Sequence, residues 1–411
     1  MARVLAEEVQ QALKDLYYDV RTGRGKEAFA LLEQASEAGD GDATCILARC
    51  LCGPQYVWIG HGFPEDDERA SMLIGKSVEQ GSALGVLVAM RTGELSPELQ
   101  EKMPFSSLQE AFDEVLQMAK DGDAFCQYTI ANTYFWWDFI RIQGKNRDSF
   151  LFPSEYNAYL KENISKCEEW FWKALRGGMY SAANNLYRYY MQGDEDIIAP
   201  QPEKARDLWK IGAELGYPML QAAYADELEK EDRKAEAFCW YKQAAEGGHP
   251  GAWSDVGRYY FDGITIEKDE AHAVRCFERD IPFDIVTAYN MLGKAYFFGR
   301  GVPQDYSKAY FYLYHGYNKG SKWGVFYLAK CFFYGYGTRQ DYGLARQLLD
   351  LMNWNYWEAD YFRGMIYANG LGVPEDIPRG VEYLQKAGDH EEAKAELSRY
   401  KKTIFGKWVR R

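Results

Sequence analysis

The chain has 411 residues, of which 47 % are apolar and 27 % charged, so its apolar fraction is large enough to exclude wholesale disorder. Lys and Arg number 48 against 61 Asp and Glu, and the resulting net charge of -13 argues against nucleic-acid binding, which needs an excess of cations. A chain of this length is expected to form two or three domains or one long repeat array.

The first residues are not expected to form a signal peptide, because Glu7 and Glu8 interrupt any apolar run before a hydrophobic core can develop. The longest apolar stretch, residues 83–90, is far shorter than the roughly 20 residues that span a bilayer. Eight cysteines are too few for a disulfide scaffold in so long a chain. We therefore expect a cytoplasmic protein that has no membrane partner.

Residues 1–247 are predicted to form divergent helical pairs, beginning with a helix near Val4. The segment GHGFPED at residues 60–66 has the composition of a loop between paired helices. It follows a predicted insertion near 53–59, and a longer insertion is predicted at 138–157. Four segments end in a similar run of small residues and glycine, which predicts the second helices of pairs. These segments are FALLEQASEAG, WFWKALRGG, LWKIGAELG and CWYKQAAEGG.

The repeat is clearest in residues 248–388. Four stretches there hold a loop glycine followed six residues later by an aspartate, and both recur at steps of 36, 36 and 35 residues. The glycine can end a first helix with a positive φ, and the aspartate can cap a second helix. The regular spacing thus predicts a repeated helix–loop–helix unit. The pairs are Gly263 and Asp269, Gly299 and Asp305, Gly335 and Asp341, and Gly370 and Asp376.

Residues 389–411 are predicted to form a polar helix that caps the array, followed by a basic tail. The last thirteen residues carry six cations and no acid. We expect Ile404, Phe405 and Trp408 to pack against the last helical pair. The alternative is that the tail docks on an acidic partner, an anionic membrane surface or a nucleic acid.

The units resemble Sel-one-like repeats, which are relatives of the tetratricopeptide repeat. The family pattern A-x-x-x-L-G-x-x-Y-x-x-G-x-G-V-P-x-D-x-x-K-A is most complete at residues 287–320, and its closing part is WYKQAAEG at 240–247. The resemblance implies an all-α, right-handed superhelical solenoid of about ten stacked antiparallel helical hairpins. It also implies a non-catalytic scaffold or adaptor that binds a partner peptide or protein on its concave face.

If the hairpins stack as tetratricopeptide repeats do, the residue after the small first-helix position faces the concave surface. Cations recur there, and such a stripe could bind an acidic peptide or a C-terminal carboxylate through charge-assisted hydrogen bonds. The alternative is an ordinary solvated helix face. The cations are Arg49, Arg188, Arg258, Lys294 and Lys330. Further residues expected on this face are Asn184, Asn290, Phe326 and Tyr361.

We expect neither a metal site nor a cofactor. Cys45 and Cys52 would lie about 10.5 Å apart along a helix axis, too far for one zinc ion, so these thiols and Cys50 are predicted to be structural. The glycine loops lack the Lys and Ser or Thr of a phosphate-binding loop. Neither a G-x-S-x-G nor an H-E-x-x-H motif occurs, and the five histidines are scattered.

The sequence therefore predicts a non-enzymatic scaffold for a protein or peptide partner that carries acidic groups, with no nucleic-acid partner. A self-associating structural or regulatory repeat protein is the alternative, and the sequence leaves homo-oligomer formation open. An enzyme with a site between repeats is the less favoured alternative.

Overall fold

The chain folds into successive pairs of antiparallel α-helices, and the predicted all-α repeat solenoid is confirmed. The structure, a computed structural model, divides into two units, residues 1–249 and 250–411. The predicted change from divergent repeats (1–247) to well-matched repeats (248–388) lies close to this division. The structure describes residues 3–20, 23–53, 61–194, 197–352 and 356–411.

Six helical hairpins make up the described part of the first unit, and the apolar faces of the helices within residues 7–230 share one core. The first helix continues into a π-helical turn at Lys14–Tyr18. The hairpins are α1 (Glu7–Leu13) with α2 (Gly25–Glu37), α3 (Gly41–Cys50) with α4 (Asp67–Glu79), α5 (Ala83–Thr92) and the short α6 (Pro97–Lys102) with α7 (Leu108–Lys120), α8 (Ala124–Phe135) and the short α9 (Asp138–Ile142) with α10 (Pro153–Arg176), α11 (Ala182–Gln192) with α12 (Pro202–Glu214), and α13 (Pro218–Lys230) with α14 (Lys234–Glu246).

The predicted insertion at 138–157 is helical at both ends. Its first residues form α9, its last residues begin α10, and a 3₁₀ turn at Arg147–Ser149 lies between them. Arg91 of α5 forms an ion pair with Asp138 at 2.5 Å, which ties the start of α9 to the core. The other predicted insertion, 53–59, lies after its first residue outside the described residues.

Four hairpins, a terminal helix and a β-hairpin make up the described part of the second unit. The hairpins are α15 (Ala252–Asp262) with α16 (Glu270–Asp280), α17 (Val286–Phe298) with α18 (Tyr306–Asn318), α19 (Val325–Tyr334) with α20 (Tyr342–Asp350), and α21 (Trp357–Ala368) with α22 (Ile377–Lys386). The terminal elements are α23 (Glu391–Leu397), β1 (Tyr400–Lys402) and β2 (Trp408–Arg410).

The repeat loops have the backbone that their glycines and aspartates predict. Gly299, which ends α17, has a φ of 69°, in the left-handed region. Asp305 then caps α18, because its Oδ1 accepts hydrogen bonds from the backbone N–H groups of Ser307 and Lys308 at 3.0 Å. An aspartate caps α16, α20 and α22 in the same way. These loop predictions are confirmed.

The second glycine of the loop lets one hairpin approach the preceding one. A Cβ atom on Gly301 would lie 2.2 Å from the backbone oxygen of Glu270, at the start of α16. A Cβ on Gly337 would lie 2.1 Å from the backbone oxygen of Tyr306, at the start of α18. Both glycines also have positive φ values, so the stacking of these hairpins requires glycine at both positions.

The basic tail forms the β-hairpin, in which Tyr400 pairs with Arg410 in antiparallel register. Tyr400 is buried, and Trp408 packs beside it on the ends of α21 and α22, so the predicted packing of Trp408 is confirmed. The same prediction is wrong for Ile404 and Phe405, which are exposed. Both occupy the turn between the strands, where side chains point away from the helices.

Candidate partner-binding site

Three cations occupy equivalent positions on neighbouring first helices of the second unit. Arg258, Lys294 and Lys330 lie on α15, α17 and α19, and all three side chains are half-buried. The Lys294 Nζ atom lies 5.5 Å from the ring centroid of Phe261, and the Lys330 Nζ atom lies 5.7 Å from that of Phe297. Each lysine thus contacts a ring of the preceding first helix. We call these three residues the cationic row.

The two lysines of the row are not neutralised by carboxylates. In the part of the chain that the structure describes, neither Lys294 nor Lys330 forms an ion pair. Arg258 lies 4.0 Å from the carboxylate of Asp255, at the limit of a salt bridge. The row therefore offers two uncompensated positive charges in a chain whose net charge is -13.

Exposed aromatic rings lie beside the row. Phe298 and Tyr334 follow Lys294 and Lys330 by four residues, which places them on the same helix faces one turn later. They are 46 % and 45 % exposed, respectively. Trp323 is also exposed, and its ring centroid lies 5.8 Å from the Lys294 Nζ atom. None of these rings was predicted from the sequence, although the four-residue spacing from each lysine could have identified Phe298 and Tyr334.

Asn290 and Phe326 were predicted to lie on an exposed face, and that prediction is wrong. They are 6 % and 4 % exposed. The Asn290 Nδ2 donates a hydrogen bond to the Ser321 Oγ at 2.7 Å, and a Cβ on Gly324 would lie 2.9 Å from the Asn290 Oδ1. Phe326 packs against Phe362, with ring centroids 5.9 Å apart. Both lie one turn before a row lysine, where the next hairpin covers the helix.

Tyr361 lies on α21, one hairpin beyond Lys330, and is half-buried beside the terminal helix and β-hairpin. Burial raises the pKa of its hydroxyl, and the carboxylate of Glu396 adds to this effect. The position of α21 that is equivalent to Lys330 is occupied by Met365, so the cationic row does not continue onto this helix.

Asn184 and Arg188 are exposed on α11, in the first unit. The Arg188 guanidinium lies 5.0 Å from the ring centroid of Trp136, and its Nε donates a hydrogen bond to the Gln192 Oε1 at 3.0 Å. Arg188 and Trp136 thus form a cation–aromatic contact within the first unit.

Near the start of the chain, the equivalent position on α3 is surrounded by aromatic rings. The Arg49 guanidinium lies 4.9 Å from the ring centroid of Tyr128, 5.7 Å from that of Phe125 and 5.8 Å from that of Tyr17. It donates a hydrogen bond to the Tyr128 hydroxyl at 3.3 Å. The hydroxyl of Tyr18 accepts one from the backbone N–H of Phe125 at 3.1 Å. The N-terminal segment therefore packs across this position.

Six of the eight cysteines are buried, whereas Cys52 is half-buried and Cys239 is exposed. All eight are free, and burial raises the pKa values of Cys45 and Cys50 to about 12, so both are protonated at neutral pH. His61 is buried, and its Nε2–H donates to the backbone oxygen of Leu16 at 3.1 Å. Within the described ranges, no three His, Cys, Asp or Glu side chains are grouped so that they could hold a metal ion.

The fold and its repeated loops define an α-helical repeat protein. Comparison with known families identifies the repeat as the Sel1 repeat, whose matches make up about half of the chain. The chain therefore belongs to the Sel1 repeat family, as its loops predict. Sel1 repeat proteins are generally protein-interaction scaffolds. The matched residues are 25–40, 178–217, 226–249, 254–279, 286–321, 324–352 and 357–391.

A solved structure shows the same fold. The chain is 19 % identical to c5321, a protective antigen of uropathogenic Escherichia coli strains that displays an SLR fold, over 95 % of this chain and 78 % of that chain, with a TM-score of 0.52. A Sel1 repeat protein from Oxalobacter formigenes is 25 % identical, over 57 % of this chain and 98 % of that chain, with a TM-score of 0.44. No curated protein matches the chain.

None of the helices in the described ranges combines the length and the apolar composition needed to cross a bilayer.

Proposed function

We propose that the chain is a non-catalytic scaffold that binds an acidic, extended segment of a partner protein along the cationic row. The observation that carries the proposal is a repeated pattern in which a lysine with no ion pair among the described residues is followed four residues later by an exposed ring. Lys294 is followed by Phe298, and Lys330 by Tyr334. A partner carboxylate would form charge-assisted hydrogen bonds with each lysine, and an apolar side chain would cover each ring.

The usual spacing of packed helices suggests the sequence pattern of the bound segment. Packed helices lie about 8–10 Å apart, and an extended chain advances about 3.3 Å per residue. Carboxylates at every third residue would therefore meet cations on successive helices. We expect the partner to carry Asp or Glu at this spacing, with apolar side chains between them.

We also propose a cytoplasmic location. The support is that all eight cysteines carry free thiols, as is usual for proteins of a reducing compartment.

The test is fluorescence anisotropy with a labelled peptide that has Asp at every third residue and apolar residues between. Reversing the charge of the row should weaken binding at least about tenfold and change the free energy of unfolding by less than about 1 kcal/mol, because half-exposed lysines contribute little to folding. The row variant combines Arg258→Glu, Lys294→Glu and Lys330→Glu.

A matched control variant makes the same change of net charge at exposed cations on second helices and a repeat loop. It should bind as the unchanged protein does. A row variant that binds the peptide as tightly as the control would refute the proposal. The control combines Arg275→Glu, Lys308→Glu and Arg339→Glu.

A further inference from the structure

The turn of the C-terminal β-hairpin presents two apolar side chains to solvent. Ile404 and Phe405 are 95 % and 88 % exposed, more than any other large apolar residue in the described ranges. They hold the central turn positions, since the backbone N–H of Thr403 donates to the oxygen of Lys407 at 2.8 Å. Tight turns favour Gly, Asn, Asp and Pro at such positions. Neither turn formation nor core packing explains these two residues.

Unpaired lysines flank the two apolar residues. Lys401, Lys402 and Lys407 form no ion pair among the residues that the structure describes. Arg410 and Arg399 differ from them, because Arg410 pairs with Glu375 at 2.8 Å and Arg399 pairs with Glu396 at 3.0 Å. The hairpin therefore combines an apolar tip with three positive charges that no carboxylate of the described residues neutralises, although the Lys402 Nζ lies 5.3 Å from the ring centroid of Trp408.

The base of the hairpin is anchored to the second unit. Tyr400 is buried against Val381 and Leu384 of α22. The Arg410 Nη2 donates a hydrogen bond to the backbone oxygen of Ala368, at the end of α21, at 2.9 Å. The tip is thus held at the end of an ordered element and projects away from the helices.

We propose that this tip docks on an anionic lipid surface. Ile404 and Phe405 enter the boundary between headgroups and acyl chains, and the three lysines contact the negatively charged headgroups. A specific protein interface buries about 800 Å² on each partner, which a convex tip of two side chains does not offer, whereas a bilayer surface requires no matching shape. The expectation of no membrane partner rested on the lack of a spanning segment, and surface docking needs none.

The test is co-sedimentation of the full chain with vesicles of mixed phosphatidylcholine and phosphatidylserine. We expect the chain to bind the mixed vesicles, and to bind vesicles of phosphatidylcholine alone at least about tenfold more weakly. Binding to the mixed vesicles should weaken as salt is added. The same loss on the mixed vesicles should follow when the three lysines of the tip are replaced by glutamine. Failure of the chain to sediment with the mixed vesicles would overturn the proposal.

Two pairs of substitutions test the apolar part of the tip. Ile404→Ser with Phe405→Ser should reduce binding at least about tenfold without lowering the melting temperature, because neither side chain is packed. Leu151→Ser with Phe152→Ser is the matched control, since these adjacent residues are also exposed, and it should bind as the unchanged chain does.

Equal losses in the two pairs would contradict insertion of the tip. Binding to soluble polyglutamate provides another outcome that would overturn the proposal. If the chain binds polyglutamate more tightly than the vesicles, and if this binding needs Ile404 and Phe405, the partner of the tip is an acidic protein instead. The variant with a charge-reversed cationic row should still bind vesicles, so this test is independent of the proposed peptide site.

Discussion

Single glycines decide how closely two hairpins of the second unit can pack. At Gly337, the missing side chain brings the loop after α19 against the start of α18, and the positive φ of 68° turns the chain there. The sequence predicts the turn from the glycine, whereas the close approach becomes visible only when both hairpins are in place.

Gly337→Ala should lower the free energy of unfolding by roughly 2–4 kcal/mol, because the added Cβ would meet a backbone oxygen that cannot move aside and the φ would be strained. Gly388→Ala is the matched control. Its φ is 75°, but no atom lies within 4 Å of the added Cβ, so only the backbone strain of about 1 kcal/mol is expected. Urea denaturation measures both, and equal losses would show that the contact with Tyr306 is not tight.

His61 makes the stability of the first unit dependent on pH. Burial lowers its pKa below the usual 6.5, so the folded chain keeps the neutral ring while the unfolded chain takes up a proton. The contribution of His61 to the free energy of unfolding is therefore complete above pH 6.5 and falls as the pH drops below that value. In His61→Gln this part of the pH dependence should disappear, which denaturation at neutral pH and at about pH 5 can detect. An unchanged pH dependence in the variant would exclude His61 as its source.

The cations of the site could be predicted from the sequence, because their place in the repeat fixes their helix face. Their surroundings could not be predicted. Asn290 and Phe326 are covered by the following hairpin, and the rings around Arg49, those of Tyr17, Phe125 and Tyr128, come from distant parts of the chain. A repeat pattern describes one hairpin at a time, so contacts between hairpins lie beyond it.

Helices were easier to predict than the terminal β-hairpin. Gly299 and Asp305 mark the end of one helix and the start of the next within six residues, so the signal is local. The strands β1 and β2 have no such signal. They form where Tyr400 and Trp408 can pack on α22, and strand formation depends strongly on such packing.

Equivalent positions on two first helices should respond differently to substitution. Arg49→Ala on α3 should cost roughly 2–4 kcal/mol of stability, because the guanidinium packs against three aromatic rings and bonds the Tyr128 hydroxyl. Lys294→Ala on α17 should cost less than about 1 kcal/mol. Thermal denaturation compares the two, and a similar loss at both positions would show that the lysine also belongs to the packing of its unit.

At the scale of the whole molecule, the charge distribution determines where the chain can bind acidic ligands. The chain carries a net charge of -13, which repels acidic ligands in general. Unpaired lysines at the cationic row and at the C-terminal turn provide local exceptions in the second unit. Binding of an acidic peptide to the row should therefore weaken as salt screens the half-exposed charges of the row.

The most direct measurement is a charge-swap cycle between the row and the peptide. Dissociation constants would be measured for the unchanged chain and for Lys294→Glu with Lys330→Glu, each against the peptide with Asp at every third residue and against a peptide with Lys in those places. We predict that the charge-reversed chain binds the acidic peptide, and the unchanged chain binds the basic peptide, at least about tenfold more weakly than the unchanged chain binds the acidic peptide. The charge-reversed chain should bind the basic peptide with much of this lost affinity restored. Losses that simply add, with no recovery in the doubly swapped pair, would contradict direct contact between the row lysines and the acidic groups of the partner.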